Sequence, residues 1–144
     1  MEFDDSLPWR VIRGEGFNAH VGPARIARAG ERVWHAALDV EPRHINVGGV
    51  CHGGVILFLA DVAMGTASFE AGGAHPCATI DLDCHFLAAA KRGERLMARA
   101  EQLRQVRGLS FMQCELWSGG RQVARAGGIW KYLESRAPGA GGGP

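Results

Sequence analysis

From Gly54 to about Ala71 the chain is apolar at nearly every position, with only Asp61 and Glu70 charged. That length fits a helix of roughly five turns. Gly72-Gly73 follows as a stop signal. A helix with no polar stripe is expected to be buried. Most of the remaining chain has a period of two. Between Pro76 and Leu87, Ile80, Leu82, Cys84 and Phe86 fall on one face, and Thr79, Asp81, Asp83 and His85 on the other. Gly93–Val106, Leu109–Trp117 and Arg121–Leu133 read as further strands, joined by Arg107-Gly108 and Ser118-Gly119-Gly120. Before the helix, Phe17–Arg28 and Arg32–Val40 read as two strands linked by Ala29-Gly30-Glu31. Gly22-Pro23 implies an edge or a bend within the first, and Pro42 ends the second.

These elements define an α+β domain over residues 17–134, one long central helix wrapped by an antiparallel sheet. Residues 1–16 form an N-terminal segment, with helix expected around Ser6 to Ile12. Residues 135–144 are a Gly/Pro-rich tail that has little to bury and is expected to be disordered. No internal repeat is present.

Composition narrows the classes. The chain has 144 residues, 47% of them hydrophobic, which suits one folded domain with a real core. A net charge of +1 and no long basic block argue against a dedicated nucleic-acid binder. Cys51, Cys77, Cys84 and Cys114 contain no C-x-x-C pair, and free thiols in a cytoplasmic protein account for them. The acidic opening Met1-Glu2-Phe3-Asp4-Asp5 is unlike a secretion signal. The apolar run is broken by Asp61 and bounded by glycines, so no membrane span is expected.

The candidate chemistry lies where the loop Asn46-Val47-Gly48-Gly49-Val50-Cys51-His52-Gly53-Gly54 enters the helix. Backbone N–H groups at a helix start lack partners, and the dipole there is positive. Gly53 and Gly54 could therefore hold a developing oxyanion, or could only allow close packing. Asp61 is an ionisable group within an apolar element, which is costly without a task or a partner. It is either catalytic or a structural acid. His52 either orients the loop by a hydrogen bond or takes part in acid–base chemistry. Asn46 could cap a loop turn. Asp81, Asp83 and His85 share a strand face, but ligands spaced about 7 Å per step chelate poorly. A polar row facing solvent or an interface is the better reading, and no metal is assigned. Trp34, Phe58, Phe69, Phe86, Phe111, Trp117 and Trp130 divide between core and pocket wall in a way the sequence does not settle.

The layout of a hairpin, a long helix and an antiparallel meander is that of the hotdog fold. Asn46, then His52-Gly53-Gly54, then Leu59-Ala60-Asp61 resembles the signature of small hotdog acyl-CoA thioesterases of the phenylacetyl-CoA (PaaI-like) branch. Ala78-Thr79-Ile80-Asp81 and Ala89-Ala90-Lys91 also look like this family, and the resemblance covers about residues 17–133. It implies hydrolysis of aryl-acetyl or medium-chain acyl-CoA to free acid and coenzyme A. In those roles Asp61 is general base or nucleophile, Gly53 N–H and Asn46 polarise the carbonyl, and Thr79 places the water. No metal or organic cofactor is implied.

His52 and Gly54 are grouped with the substrate-binding residues. Lys91, Arg92, Arg104, Arg107 and Lys131 are candidates for the coenzyme A phosphates. The rivals are an acyl-CoA hydratase on the same fold and a non-catalytic acyl-CoA-binding or regulatory domain. If Gly53 and Asp61 are both catalytic, geometry adds a requirement. They lie eight residues apart, about 12 Å along a helix axis and rotated by roughly 80°. One thioester carbon cannot meet both. A homodimer with antiparallel helices about a two-fold axis would build the site twice at its interface, and the resemblance suggests a tetramer of two such dimers.

Overall fold

The computed structural model describes residues 1–134; the tail read as disordered lies outside the described residues. Strands β1 (Arg10–Val11), β2 (Arg25–Arg28), β3 (Val33–Asp39), β4 (Cys77–Phe86), β5 (Arg95–Val106), β6 (Leu109–Ser118) and β7 (Arg121–Tyr132) alternate with helices α1 (Phe17–Val21) and α2 (Gly53–Ala71). The strands form one seven-stranded sheet in the order β1-β2-β3-β5-β6-β7-β4. Every neighbouring pair is antiparallel. The sheet curls round α2, giving the expected hotdog architecture.

Alternation decides which face meets the helix. In β6, Ser110, Met112, Cys114, Leu116 and Ser118 are buried, while Phe111, Gln113, Glu115 and Trp117 are half-buried on the other face. From α2 the core takes Val55, Ile56, Phe58, Leu59, Ala60, Ala63, Met64 and Ala67. Small alanines on one side bring the helix backbone close to the sheet. A hydrogen-bonded group fixes the helix end: Ser68 Oγ donates to Ser110 Oγ at 3.0 Å, Gln102 Nε2 donates to the same oxygen at 2.9 Å, and Tyr132 OH donates to the Ser68 carbonyl at 2.6 Å. Trp34 Nε1 donates to Glu70 at 2.7 Å, and Arg10 pairs with Glu70, which ties β1 and β3 to α2.

Three sequence expectations are corrected. Uniform apolarity predicted burial of α2 all round, yet only one side is covered. Leu57, Asp61, Val62, Gly65 and Thr66 stay half-buried and Phe69 is exposed. Phe17–Val21 is a short helix, not the start of a strand. Gly16, at φ +68°, turns the chain into it, and Phe17 packs edge-on against Phe58 with ring centroids 5.5 Å apart. The helix expected near Ser6–Ile12 is a turn followed by β1. The Asp4 carboxylate accepts from Ser6 N–H at 2.9 Å and from Ser6 Oγ at 2.6 Å, a local arrangement that competes with helix.

Leu59 is a central packing residue, with no exposed surface. Leu59→Ala should lower unfolding stability by about 2–5 kcal/mol, read from urea denaturation as a lower midpoint with an unchanged slope.

Candidate active site

Asp61 sits near the middle of α2 on its half-buried side. Thr79 Oγ1, on β4, donates to Asp61 Oδ1 at 2.8 Å. Strict alternation had put Thr79 opposite Leu82 and Cys84. A β-bulge reverses this. The β4–β7 register shifts between Thr79 and Asp81, so Ile80 is the extra residue, and it is 56% exposed. Cys77 on one side of the bulge and Leu82 and Cys84 on the other all pack toward the core. The bulge thus lets Thr79 face the helix without turning the rest of the strand.

The start of α2 is held by its own cap. His52 is the N-cap, and its Nδ1 accepts the Gly54 N–H at 2.8 Å. The His52 carbonyl takes the Val55 N–H at 2.9 Å. Among the described residues the Gly53 N–H has no acceptor, so it is the donor left at this helix end. Asn46 performs the loop role considered for it. Its Oδ1 accepts from Gly48 N–H at 2.9 Å and from Val50 N–H at 3.2 Å. With the oxygen engaged, the Asn46 Nδ2 group is the end that can donate to a ligand.

Two clefts open beside Asp61 and Thr79. One, about 410 Å³, is lined by Phe17, Gly54, Leu57, Phe58 and Leu82. The other, about 450 Å³, runs past Val62, Gly65 and Phe69 to Trp130. Asn18 borders both. Cys77 lies in the second cleft. Burial, and then the Asp61 charge, push its thiol above the usual range, so it stays protonated and weakly nucleophilic at neutral pH.

The cationic residues fall into two groups. Lys91 and Arg92 lie in the turn between β4 and β5, whereas Arg104, Arg107 and Lys131 cluster at the far end of β5. All five are exposed. Eleven residue steps of β5 separate the two ends, roughly 36 Å at about 3.3 Å per step. One chain does not gather them round a single phosphate group. Asp81, Asp83 and His85 form an exposed row on β4. Among the described residues no group of three or more His, Cys, Asp or Glu side chains could hold a metal ion.

Some site features were missed in the sequence. Phe86 covers the helix start: a β-carbon on Gly53 would lie 3.2 Å from its ring. The alternation placed Phe86 on an inward face, but nothing in the sequence placed it over Gly53. Phe17 and Asn18 were missed because their segment was read as strand.

A helix that carries an unpaired N–H at its start and an acid–hydroxyl pair bordering two clefts is an arrangement suited to acyl transfer. The family comparison agrees: the thioesterase superfamily model matches residues 48–125, and the chain belongs to that superfamily. It is a thioester hydrolase on the hotdog fold. A Pseudomonas aeruginosa protein described as an inferred esterase is 32% identical over 111 residues, covering 76% of this chain and 83% of that protein. Zebra fish thioesterase superfamily member 2 superposes with a TM-score of 0.75 at 27% identity, covering 84% of this chain and 88% of that one. A mutant form of the phenylacetic acid degradation protein PaaI from Thermus thermophilus superposes with a TM-score of 0.73 at 26% identity, covering 81% and 98%.

The two readings of His52 separate by substitution. His52→Ala should destabilise by about 0.5–2 kcal/mol through loss of the cap. His52→Asn, which restores a cap acceptor, should recover both stability and turnover. Recovered stability without turnover would instead make the imidazole an acid–base group.

Proposed function

We propose that the chain hydrolyses acyl-CoA thioesters at a site shared by two copies of itself. Aryl-acetyl and medium-chain acyl groups are the substrates this reading favours, and the cytoplasm is its compartment. The observation that carries it is the Thr79–Asp61 pair at the mouth of a cleft with apolar walls. A carboxylate oriented by a hydroxyl, next to space for an acyl group, is the equipment for attacking a thioester carbon.

The carbonyl oxygen is held by Gly53 N–H and Asn46 Nδ2–H. These donors stabilise the negative charge that develops on it. Water, placed by Thr79, attacks the carbonyl carbon and gives its proton to Asp61, or the carboxylate attacks and water then cleaves the anhydride. In the first route the tetrahedral intermediate collapses, the C–S bond breaks and the Asp61 proton leaves with the coenzyme A thiolate. In the second the C–S bond breaks as the anhydride forms, and the water that cleaves it supplies the proton for the thiolate. Both routes consume one water and yield acid and thiol.

The shared site follows from distance. Gly53 and Asp61 belong to one helix and are about 12 Å apart along it, beyond the reach of one reacting carbon. Strand β4 supports the pairing. It is a ten-residue edge strand with one side unpaired, and Ile80 and Phe86 on it are 56% and 55% exposed. A long exposed edge of this kind is a template for strand addition. Two-fold pairing along it carries Asp61 of one copy toward Gly53 of the other. The same two-fold offers a route for the Lys91–Arg92 turn and the Arg104–Arg107 hairpin of different copies to reach one coenzyme A. A dimer of dimers is the expected assembly.

A thiol-release assay over aryl-acetyl and straight-chain acyl-CoA esters, with chelator present, should show turnover of at least one. Asp61→Asn keeps the shape and should lower kcat by about 10²–10⁴ with little change in KM. Gly53→Pro removes the N–H and is tolerated in a first helical turn. It should lower kcat by about 10²–10³ once folding is confirmed by circular dichroism. Gly53→Ala keeps the N–H and presses only on the exposed Phe86 ring, so it should retain more activity. Near-normal kcat in Asp61→Asn would remove this mechanism, and acyl-CoA binding with no turnover would favour the binding-domain reading.

A further inference from the structure

The cleft beyond Asp61 ends on an indole held in an unusual way. Trp130, on β7, is 2% exposed. Two glycines make the slot that holds it. A β-carbon on Gly65, in the middle of α2, would lie 3.0 Å from Trp130 Nε1, and one on Gly128 would lie 2.5 Å from the Asp81 carbonyl and 2.8 Å from the six-membered ring of Trp130. A glycine inside a helix or strand costs roughly 0.5–1 kcal/mol relative to alanine. Here that cost places the ring edge with its nitrogen against the helix.

The nitrogen has no partner. Indole Nε1–H is a donor only, and buried tryptophans ordinarily satisfy it. Trp34 donates to Glu70 at 2.7 Å and Trp9 to the Asp4 carbonyl at 2.8 Å, while Trp117, only half-buried, makes no such bond among the described residues. Trp130 Nε1 makes no hydrogen bond among the described residues, although its ring lines the cleft that also holds Asp61 and Thr79. A nearly buried donor left open at the end of a mostly apolar cleft is suited to an acceptor that arrives with the ligand.

We propose that Trp130 is a specificity residue: its indole N–H donates to a hydrogen-bond acceptor carried on the acyl group. The preferred substrates are then thioesters of compact, ring-sized acyl groups with an acceptor atom away from the thioester. Gly65 is one helical turn beyond Asp61, so the acceptor lies about 6 Å from the carboxylate along the axis. Asn18, at the rim of the same cleft, supplies a second polar contact as the acyl group enters. This inference rests on the acyl-CoA reading above.

The test uses isosteres. Phenylacetyl-CoA and the 2-, 3- and 4-pyridylacetyl-CoA esters differ by one ring atom, which at mildly alkaline pH is a neutral acceptor. A net neutral hydrogen bond contributes about 0.5–1.5 kcal/mol, so at least one pyridyl isomer should exceed phenylacetyl-CoA in kcat/KM by about three- to tenfold. The 3- and 4-isomers carry the nitrogen deepest and are expected to lead. Trp130→Phe removes the N–H and keeps an aromatic ring, and should bring that ratio to about one. Gly65→Ala puts a methyl group against the indole nitrogen and should lower the same ratio, which covers the case of a poorly folded Trp130 variant. A loss of packing alone would slow all four esters together and leave the ratio unchanged. No preference in the wild-type enzyme, or a preference that persists in Trp130→Phe, overturns the inference while leaving hydrolysis intact. Failure to turn over any acyl-CoA overturns the acyl-CoA reading, and this inference falls with it.

Discussion

The packing of α2 against the inner face of the sheet is the interaction on which the rest of the molecule depends. Leu59, Ala60, Ala63, Met64 and Ala67 have no exposed surface. They fix the axis and the rotation of the helix, and so the direction of every residue on its other side. Asp61, Val62, Gly65 and Thr66 are left along a half-covered strip. A helix held this way is a ruler. It keeps Gly53 and Asp61 apart in one chain, and it keeps Asp61 and Gly65 one turn apart along the same cleft. On the proposed mechanism, the first distance asks for a second copy. The second sets the separation between the acid and the indole at the cleft's end.

The sheet supplies what the helix lacks. β4 lies at the edge, and its bulge at Ile80 lets Thr79 reach Asp61 while Leu82 and Cys84 remain packed inward. One unpaired residue thus does two things. It brings a hydroxyl to the acid, and it turns Ile80 to the outside of the exposed edge. The loop before α2 is similarly economical. Asn46 Oδ1 and His52 Nδ1 satisfy loop and helix N–H groups. At the helix start the Gly53 N–H has no acceptor among the described residues, and the Asn46 amide nitrogen lies near the start of the same loop. Both are donors of the kind a carbonyl oxygen can use.

Much of this was legible in the sequence because it rests on local rules. The apolar run and Gly72-Gly73 placed α2 to within a residue at its start. Period two and the glycine turns placed β5, β6 and β7 closely. Asp61 stood out as an acid in an apolar run and Thr79 came from the family resemblance, and the structure brings those two together. The failures share a cause, which is that tertiary contacts overrode local pattern. Phe17–Val21 is helical where Phe17 docks on Phe58, and Asp4 closes a turn where a helix was expected. The bulge at Ile80 was hidden because Thr79-Ile80-Asp81-Leu82 alternates regularly as written. Trp130 was named only as one of seven aromatics. Its ring packs against Gly65 and Gly128, residues 63 positions apart in the chain.

The central claim is that each site takes Asp61 from one copy and Gly53 from another. Mixing Asp61→Asn subunits with Gly53→Pro subunits, by co-refolding or co-expression, tests it most directly. Each variant alone has no complete site. A mixed dimer rebuilds one of its two sites, because the Gly53 of the first variant meets the Asp61 of the second. Equal mixing should therefore restore about one quarter of wild-type activity. Mixed dimers that form, by mass, but show only the activity of the parents would contradict the account, as would a fully active wild-type monomer.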